Sequence, residues 1–284
     1  MSDRLRVGVD GGVAHVRLNR PEKKNSLDAE MFDAILNTAK SLKNDPSVRA
    51  VVLSGEGDSF SAGLDVSSLG EMATGDLNPE SDSIKEATAH LSRDGANRAQ
   101  QLAWLWQELP VPVIAAVQGV AYGGGLHIAL GADIRFVAPD ARLAFVEITW
   151  GLVPDLSGTQ ALRRLVPLDV IKKLIFSGEV IDGEKAVALG LGTELSRQPI
   201  QDALELARVI AGRSPDAIRA AKELLNSSGL VDLAQGLSNE MTASAGLMGG
   251  ANQIESVVAK LQKRPPIFED PTTIETLTSE GDAS

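Results

Sequence analysis

The runs Arg49–Leu53 and Val113–Val117 are nearly unbroken stretches of β-branched and small apolar residues, without the polar alternation of a half-exposed strand. Strands of this kind belong in a sheet covered on both faces, which points to a largely parallel sheet packed between helices. Each run is followed by a glycine-centred segment, Phe60-Ser61-Ala62-Gly63-Leu64-Asp65 after the first and Tyr122-Gly123-Gly124-Gly125-Leu126-His127 after the second. Glycine permits close backbone approach and dihedrals that other residues avoid, so main-chain N–H groups can meet an anion at two separated points. A thioester or ester enolate is the kind of charge that such donors stabilise.

The surrounding chain alternates strand and helix signals. Val13–Leu18 alternates as a strand, and Ile134–Val137 and Ala141–Phe145 read as two more short ones. Phe32, Ile35, Leu36, Ala39 and Leu42 recur at helical intervals, with Ser26 or Asp28 available as N-cap. Leu102, Leu105, Trp106 and Leu109 repeat the pattern and Pro110 ends it, which assigns Trp104 and Trp106 to helix packing. From about Leu165 the strand signal fades, and amphipathic segments follow at Val170–Phe176, Gly183–Leu189, Asp202–Ala211 and Asp216–Asn226. The expected organisation is an α/β core over residues 1–199, a helical region over 200–270 and a polar, loosely ordered tail over 271–284.

Composition removes several function classes. With 284 residues and 43 % apolar content the chain can bury a sizeable core, and its formal charge of −11 argues against a nucleic-acid partner. Cysteine is absent, which excludes disulfides, thiolate catalysis and cysteine-ligated metals. The three histidines, His15, His90 and His127, are too scattered to suggest an imidazole metal site, so no metal is expected. The first residues carry no apolar signal region, and the apolar stretch Val111–Ala121 is too short to span a bilayer. A cytoplasmic protein without a membrane partner is the expectation.

The glycine turn at Gly123–Gly125 lacks the dinucleotide spacing, Gly178–Lys185 lacks the Gly-Lys-Ser/Thr of a phosphate loop, and no Gly-x-Ser-x-Gly elbow occurs. What remains is a helix N-terminus after a strand, where exposed amides and the helix dipole favour negative charge. Downstream, Glu147 and Asp155 stand eight residues apart in an apolar, glycine-punctuated segment. The residues alone leave Glu147 as either a structural acid or one tuned for proton transfer, and Asp155 as either a turn or cap residue or a second acid.

Four segments carry a resemblance to the crotonase, or enoyl-CoA hydratase/isomerase, superfamily, and it covers nearly the whole chain. Val16–Leu27 resembles the family's first CoA-contacting segment, and Phe60–Asp65 its Phe-x-Ala-Gly-x-Asp loop. Val117–Gly125 is similar to its second oxyanion turn, and Gly151–Gln160 to its Gly-x-x-Pro-x-x-x-Gly-Thr-Gln run. The resemblance implies an α/β, crotonase-like spiral of ββα units with a C-terminal helical region, assembled as a homotrimer or dimer of trimers. It implies an acyl-CoA substrate, with coenzyme A as part of that substrate and no permanently bound cofactor. The oxyanion donors would be the backbone N–H groups of Leu64 and Gly124. The CoA moiety would run past Lys23, Lys24, Ser26, Ala62 and Asp65, with Phe268 or Lys263 as late contacts. Trp150 would shape the acyl pocket, with core packing as its competing role.

One departure from the family pattern bears on the reaction. The hydratases place two glutamates at the double bond; the second matches Glu147, but His127 stands at the first position. A histidine near a helix N-terminus is disfavoured as imidazolium and is either a polar wall residue or a neutral group that orients water or substrate. Asp155 matches a catalytic aspartate of the family's dienoyl-CoA isomerases. The resemblance therefore favours double-bond isomerisation with Glu147, Asp155 and His127 as catalytic residues. Hydration by Glu147 with His127 is the alternative, and a catalytically weak acyl-CoA-binding protein of the same fold is a further one.

Overall fold

A computed structural model describes residues 3–65 and 91–271. His90 and the expected tail, Pro271 excepted, lie outside the described residues.

The chain opens with a hairpin, β1 (Leu5–Asp10) and β2 (Val13–Leu18), followed by α1 (Ala29–Lys43). Asp28 caps α1 by accepting from the Met31 amide at 2.8 Å, and Met31, Ile35, Ala39 and Leu42 form its buried stripe. Next come β3 (Ala50–Gly55) and α2 (Arg98–Glu108), whose Asn97 and Gln100 form a reciprocal capping box. As the sequence indicates, α2 stops before Pro110 and buries Leu102, Leu105 and Trp106. Then follow β4 (Val113–Val117), β5 (Val120–Tyr122), α3 (Gly124–Gly131), β6 (Ile134–Val137) and β7 (Arg142–Ala144). The remainder is α4 (Gly158–Leu162), α5 (Leu168–Ser177), β8 (Ile181–Asp182), α6 (Gly183–Ala188) and β9 (Glu194–Leu195), then α7 (Pro199–Ala211) and α8 (Pro215–Ser227). It ends with α9 (Leu233–Leu247) and α10 (Ala251–Leu261).

Two sheets result. The larger has the order β1-β2-β3-β4-β6-β9 and is parallel beyond the first pair; the smaller has the order β5-β7-β8. β4 and β6 are neighbours in the large sheet, while β5 and β7, which follow them, are neighbours in the small one. Each strand–strand–helix unit therefore advances one step in both sheets at once, which makes the chain a spiral.

Both faces of the large sheet are covered, as the unbroken apolar runs require. Val51, Leu53, Val113 and Ala115 point into the main core with α1, α2 and α3. Val52, Ile114 and Ala116 point the other way, against Ala203, Ala207 and Ala211 of α7. Small residues every four positions let α7 lie close to the sheet, and each fully buried Val or Ile beneath it contributes about 1.5–3 kcal/mol. α8 is fastened by the buried Lys222, whose Nζ donates to the Trp106 and Val111 carbonyls at 3.1 and 2.9 Å and to Asp133 at 2.7 Å. Burial pulls the Lys222 pKa down, and Asp133 opposes that pull.

Candidate active site

The two glycine segments meet because the spiral puts them in register. Ser61 and Ala121 form a parallel bridge, closed by Ser61 N–H to the Val120 carbonyl at 2.9 Å and Tyr122 N–H to the Ser61 carbonyl at 3.0 Å. Leu64 and Gly124 each lie three residues further on, so they advance side by side. On its other side Leu64 bridges Leu27, but the bonds are made by its neighbours: Leu27 N–H to the Gly63 carbonyl at 2.8 Å and Asp65 N–H to the Leu27 carbonyl at 3.1 Å. In such a ladder the intervening residue's own N–H faces away from that partner. The Leu64 amide thus faces away from Leu27, and Gly124, first residue of α3, has an amide with no acceptor within its helix.

Only glycine allows this approach. A Cβ placed on Gly63 would stand 2.5 Å from the Tyr122 carbonyl oxygen and 3.4 Å from the Gly124 nitrogen. Gly123 has φ +46° and donates to the Ala144 carbonyl at 3.0 Å. A Cβ there would lie 3.1 Å from Oε1 of Glu147, so this carboxylate sits directly against the turn that presents the Gly124 amide.

Glu147 begins a short helical turn after β7 and is 9 % exposed. His127, in α3, is fully buried, and the edge of its ring pair with Phe145 sets the centroids 5.9 Å apart. The Gly158 N–H donates to His127 Nδ1 at 3.3 Å, which leaves the ring proton on Nε2. Nε2 lies 3.2 Å from Glu147 Oε1, although the N–H is not aligned for a hydrogen bond with it. Glu147 Oε2 is also buried without a partner among the described residues. A buried carboxylate oxygen without a partner can accept a proton or hydrogen bond from a bound molecule.

Asp155 is placed differently. Along the loop, Leu156 packs toward Gly124 and Gly158 toward His127, whereas Asp155 and Ser157 line an open cavity of about 760 Å³ on the other side. Trp104 and Arg163 also line that cavity, and Glu147 and His127 do not. Asp155 is exposed, and Trp150 is 54 % exposed beside Ile148 and Leu152 rather than enclosed in the core.

Among the expected CoA contacts, Lys23 and Lys24 are exposed on the turn after β2, and the Lys24 carbonyl accepts from the Ala62 amide at 2.8 Å. That bond brings the lysines to the rim of the Leu64 loop. Ser26 and Asp65 turn inward, and both bond Arg20. Phe268 lies at the opposite end of β3, where Arg49 donates to its carbonyl at 3.0 Å; within one chain it is remote from this site. Lys263, beyond α10, is exposed and joins none of these residues. Among the described residues no group of three or more His, Asp or Glu side chains is arranged to hold a metal. Nor is any described helix long and apolar enough to cross a membrane. Arg20, Asn25 and Gly158 lie within the motif segments, which assign them no role, because each acts through its contacts rather than through a reactive group.

The family model Enoyl-CoA hydratase/isomerase matches residues 8–271. The chain belongs to that family. It is 33 % identical over 265 residues to the mitochondrial methylglutaconyl-CoA hydratase of Homo sapiens, covering 91 % of this chain and 74 % of that one. It is 35 % identical over 254 residues to the 2,3-dehydroadipyl-CoA hydratase of Escherichia coli, covering 89 % and 93 %. A crystal structure of a putative enoyl-CoA hydratase from Streptomyces coelicolor superposes with a TM-score of 0.84 at 32 % identity over 94 % of both chains. The fold is the crotonase spiral, and this enoyl-CoA hydratase/isomerase-family enzyme acts on acyl-CoA, with coenzyme A as part of the substrate.

Proposed function

We propose that the protein moves the double bond of an unsaturated acyl-CoA through a thioester dienolate. The observation that carries this reading is the placement of one dry carboxylate, Glu147, against the Gly123 turn, faced by a neutral imidazole instead of a second carboxylate. With a 3-enoyl thioester, the Glu147 carboxylate takes a proton from C2. The electron pair moves into the carbonyl, whose oxygen accepts from the Leu64 and Gly124 amides. The same carboxyl group then returns the proton to C4, leaving the conjugated 2-enoyl thioester and a regenerated carboxylate. Each amide donor contributes about 3–4 kcal/mol to the transition state, and the positioned base adds about 10²–10⁴-fold. One base suffices because the proton leaves and returns on the same side. Lys23 and Lys24 meet the CoA phosphates at the rim.

A second reading is hydration of a 2-enoyl-CoA, supported by the hydratase names of the relatives. Glu147 then takes a proton from water as its oxygen bonds C3, and returns it to C2, with the His127 Nε2–H holding the water. Incubation with 2-enoyl-, 3-enoyl- and dienoyl-CoA panels, followed by mass spectrometry, separates the readings: water gain marks hydration, and an absorbance change at constant mass marks migration. Glu147→Gln is expected to bind acyl-CoA normally and to lose at least about a hundredfold in turnover, the scale of a missing general base. Unchanged turnover would remove Glu147 from either scheme.

Assembly belongs to the same proposal. α9 exposes Leu233, Leu237 and Met241, an apolar row suited to packing between copies of the chain in a trimer. Light scattering on purified protein tests it.

A further inference from the structure

We infer that Arg20 and Asn25 are positioning residues for the oxyanion hole, acting through Asp65 and Ser61 to fix the direction of the Leu64 amide. The inference rests on the reading of Leu64 and Gly124 as the donors to the thioester oxygen.

Leu64 lies in a loop, and a loop amide points wherever its neighbours hold it. The residue after it, Asp65, is buried, and its Oδ2 accepts from Arg20 Nη1. The same Nη1 donates to Ser26 Oγ at 2.7 Å, and that hydroxyl lies 3.3 Å from Asp65 Oδ2. Arg20 Nε is also 3.6 Å from Asp28, the cap of α1. The ion pair is largely out of solvent, with side-chain exposures of 14 % and 12 %. A pair so placed resists rotation of the 64–65 peptide units and anchors them to the body of α1.

The residues before Leu64 are held by Asn25. Asn25 is completely buried and adopts φ +54°, a conformation asparagine tolerates better than most side chains. Its Oδ1 accepts from the Arg20 amide at 2.8 Å, and its Nδ2 donates to the Glu56 and Ser59 carbonyls at 2.9 and 2.8 Å. Its own carbonyl accepts from Ser61 Oγ at 2.8 Å, and that oxygen in turn accepts from the Gly63 amide at 3.2 Å. Arg20 and Asn25 therefore grip the loop on both sides of Leu64 while neither reaches the reacting atoms. The Val16–Leu27 segment serves the site from inside the protein as well as along the CoA path.

The test reads the hole directly. A saturated acyl-CoA carrying ¹³C at the thioester carbonyl is bound to the protein, and its C=O stretch is followed by infrared difference spectroscopy. The wild type is expected to lower the stretch relative to free ligand; no lowering there would sink the oxyanion reading itself. Arg20→Met and Asp65→Asn are expected to lose at least half of that lowering, with kcat down about tenfold to a hundredfold and KM changed less than about threefold. Arg20→Lys, which keeps the charge, is expected to recover part of both. Asp65→Asn keeps the size of the side chain but removes its charge and sets an NH₂ group against one of its acceptor positions, so it reports even if Arg20→Met fails to fold. A full wild-type lowering in folded Asp65→Asn, or a loss confined to KM, would overturn the inference while leaving the oxyanion hole in place.

Discussion

The Glu147 carboxylate packs against the Gly123 backbone: a Cβ on residue 123 would stand 3.1 Å from Oε1. At φ +46° and ψ −120° that residue occupies a conformation nearly restricted to glycine. Gly123→Ala would strain the turn, push the carboxylate outward and rotate the Gly124 amide together. The expected result is a destabilisation of about 1–3 kcal/mol and a kcat loss of at least about a hundredfold. Urea melts and steady-state kinetics on one preparation check both; wild-type kcat in a folded variant would refute the coupling.

His127 offers a second test because its two nitrogens have separate duties. Nδ1 takes the Gly158 amide, and Nε2 lies 3.2 Å from Glu147 Oε1 without a hydrogen bond to it, leaving its N–H for a bound molecule. His127→Phe keeps the ring and removes both functions. Leaving the buried Gly158 N–H without an acceptor costs about 1–3 kcal/mol. If Nε2–H orients water, any hydration activity should fall at least about tenfold while 3-enoyl isomerisation falls less. Equal losses in both reactions would assign His127 to the wall of the site alone.

How far the sequence reached depended on how local each signal was. Val13–Leu18, Val113–Val117 and Ile134–Val137 coincide with strands to the residue, because burial on one or both faces writes itself into the pattern. β1 escaped notice although Leu5, Val7 and Val9 alternate on one face; that face is largely exposed, and Gly8 and the Gly11-Gly12 turn give it the look of a terminal loop. β8 and β9 are two residues long, too short for any period. The convergence of Leu64 with Gly124 came from family resemblance; physically it depends on the Ser61–Ala121 bridge, a contact across 60 residues. The expected union of Glu147 with Asp155 illustrates the limit. Sequence spacing says nothing of which side of the loop a residue faces, and Leu156 and Gly158 turn inward where Asp155 turns out.

That placement makes Asp155 a test of substrate reach. If Asp155 takes part in the chemistry, its place in the outer cavity assigns it to a carbon distal from the thioester, as in a diene whose second double bond lies further out. Asp155→Asn is therefore expected to reduce dienoyl-CoA isomerisation by at least about tenfold and to leave 3-enoyl-CoA turnover within about threefold of wild type. Stopped-flow absorbance on the two substrates measures the ratio. An unchanged ratio would remove Asp155 from the chemistry.

His15 on β2 is expected to contribute to the loss of stability in acid. Partial burial beside the Arg17 charge lowers its pKa to about 4, with Glu56 opposing, and Nε2 lies 2.8 Å from Ser54 Oγ. In the unfolded chain the ring takes its proton near pH 6.5, so below that pH the unfolded state binds more protons than the folded one. The stabilisation from a neutral His15 is then complete above about pH 6.5 and drains away as the pH falls toward 4. Because the ring is only half-buried, solvent screening reduces its share to about 1–2 kcal/mol. His15→Gln, which retains a partner for Ser54 but cannot titrate, should flatten the decline in urea midpoint between pH 6.5 and 4.5. A variant whose midpoint falls as steeply as wild type over that interval would move the acid sensitivity to the paired carboxylates.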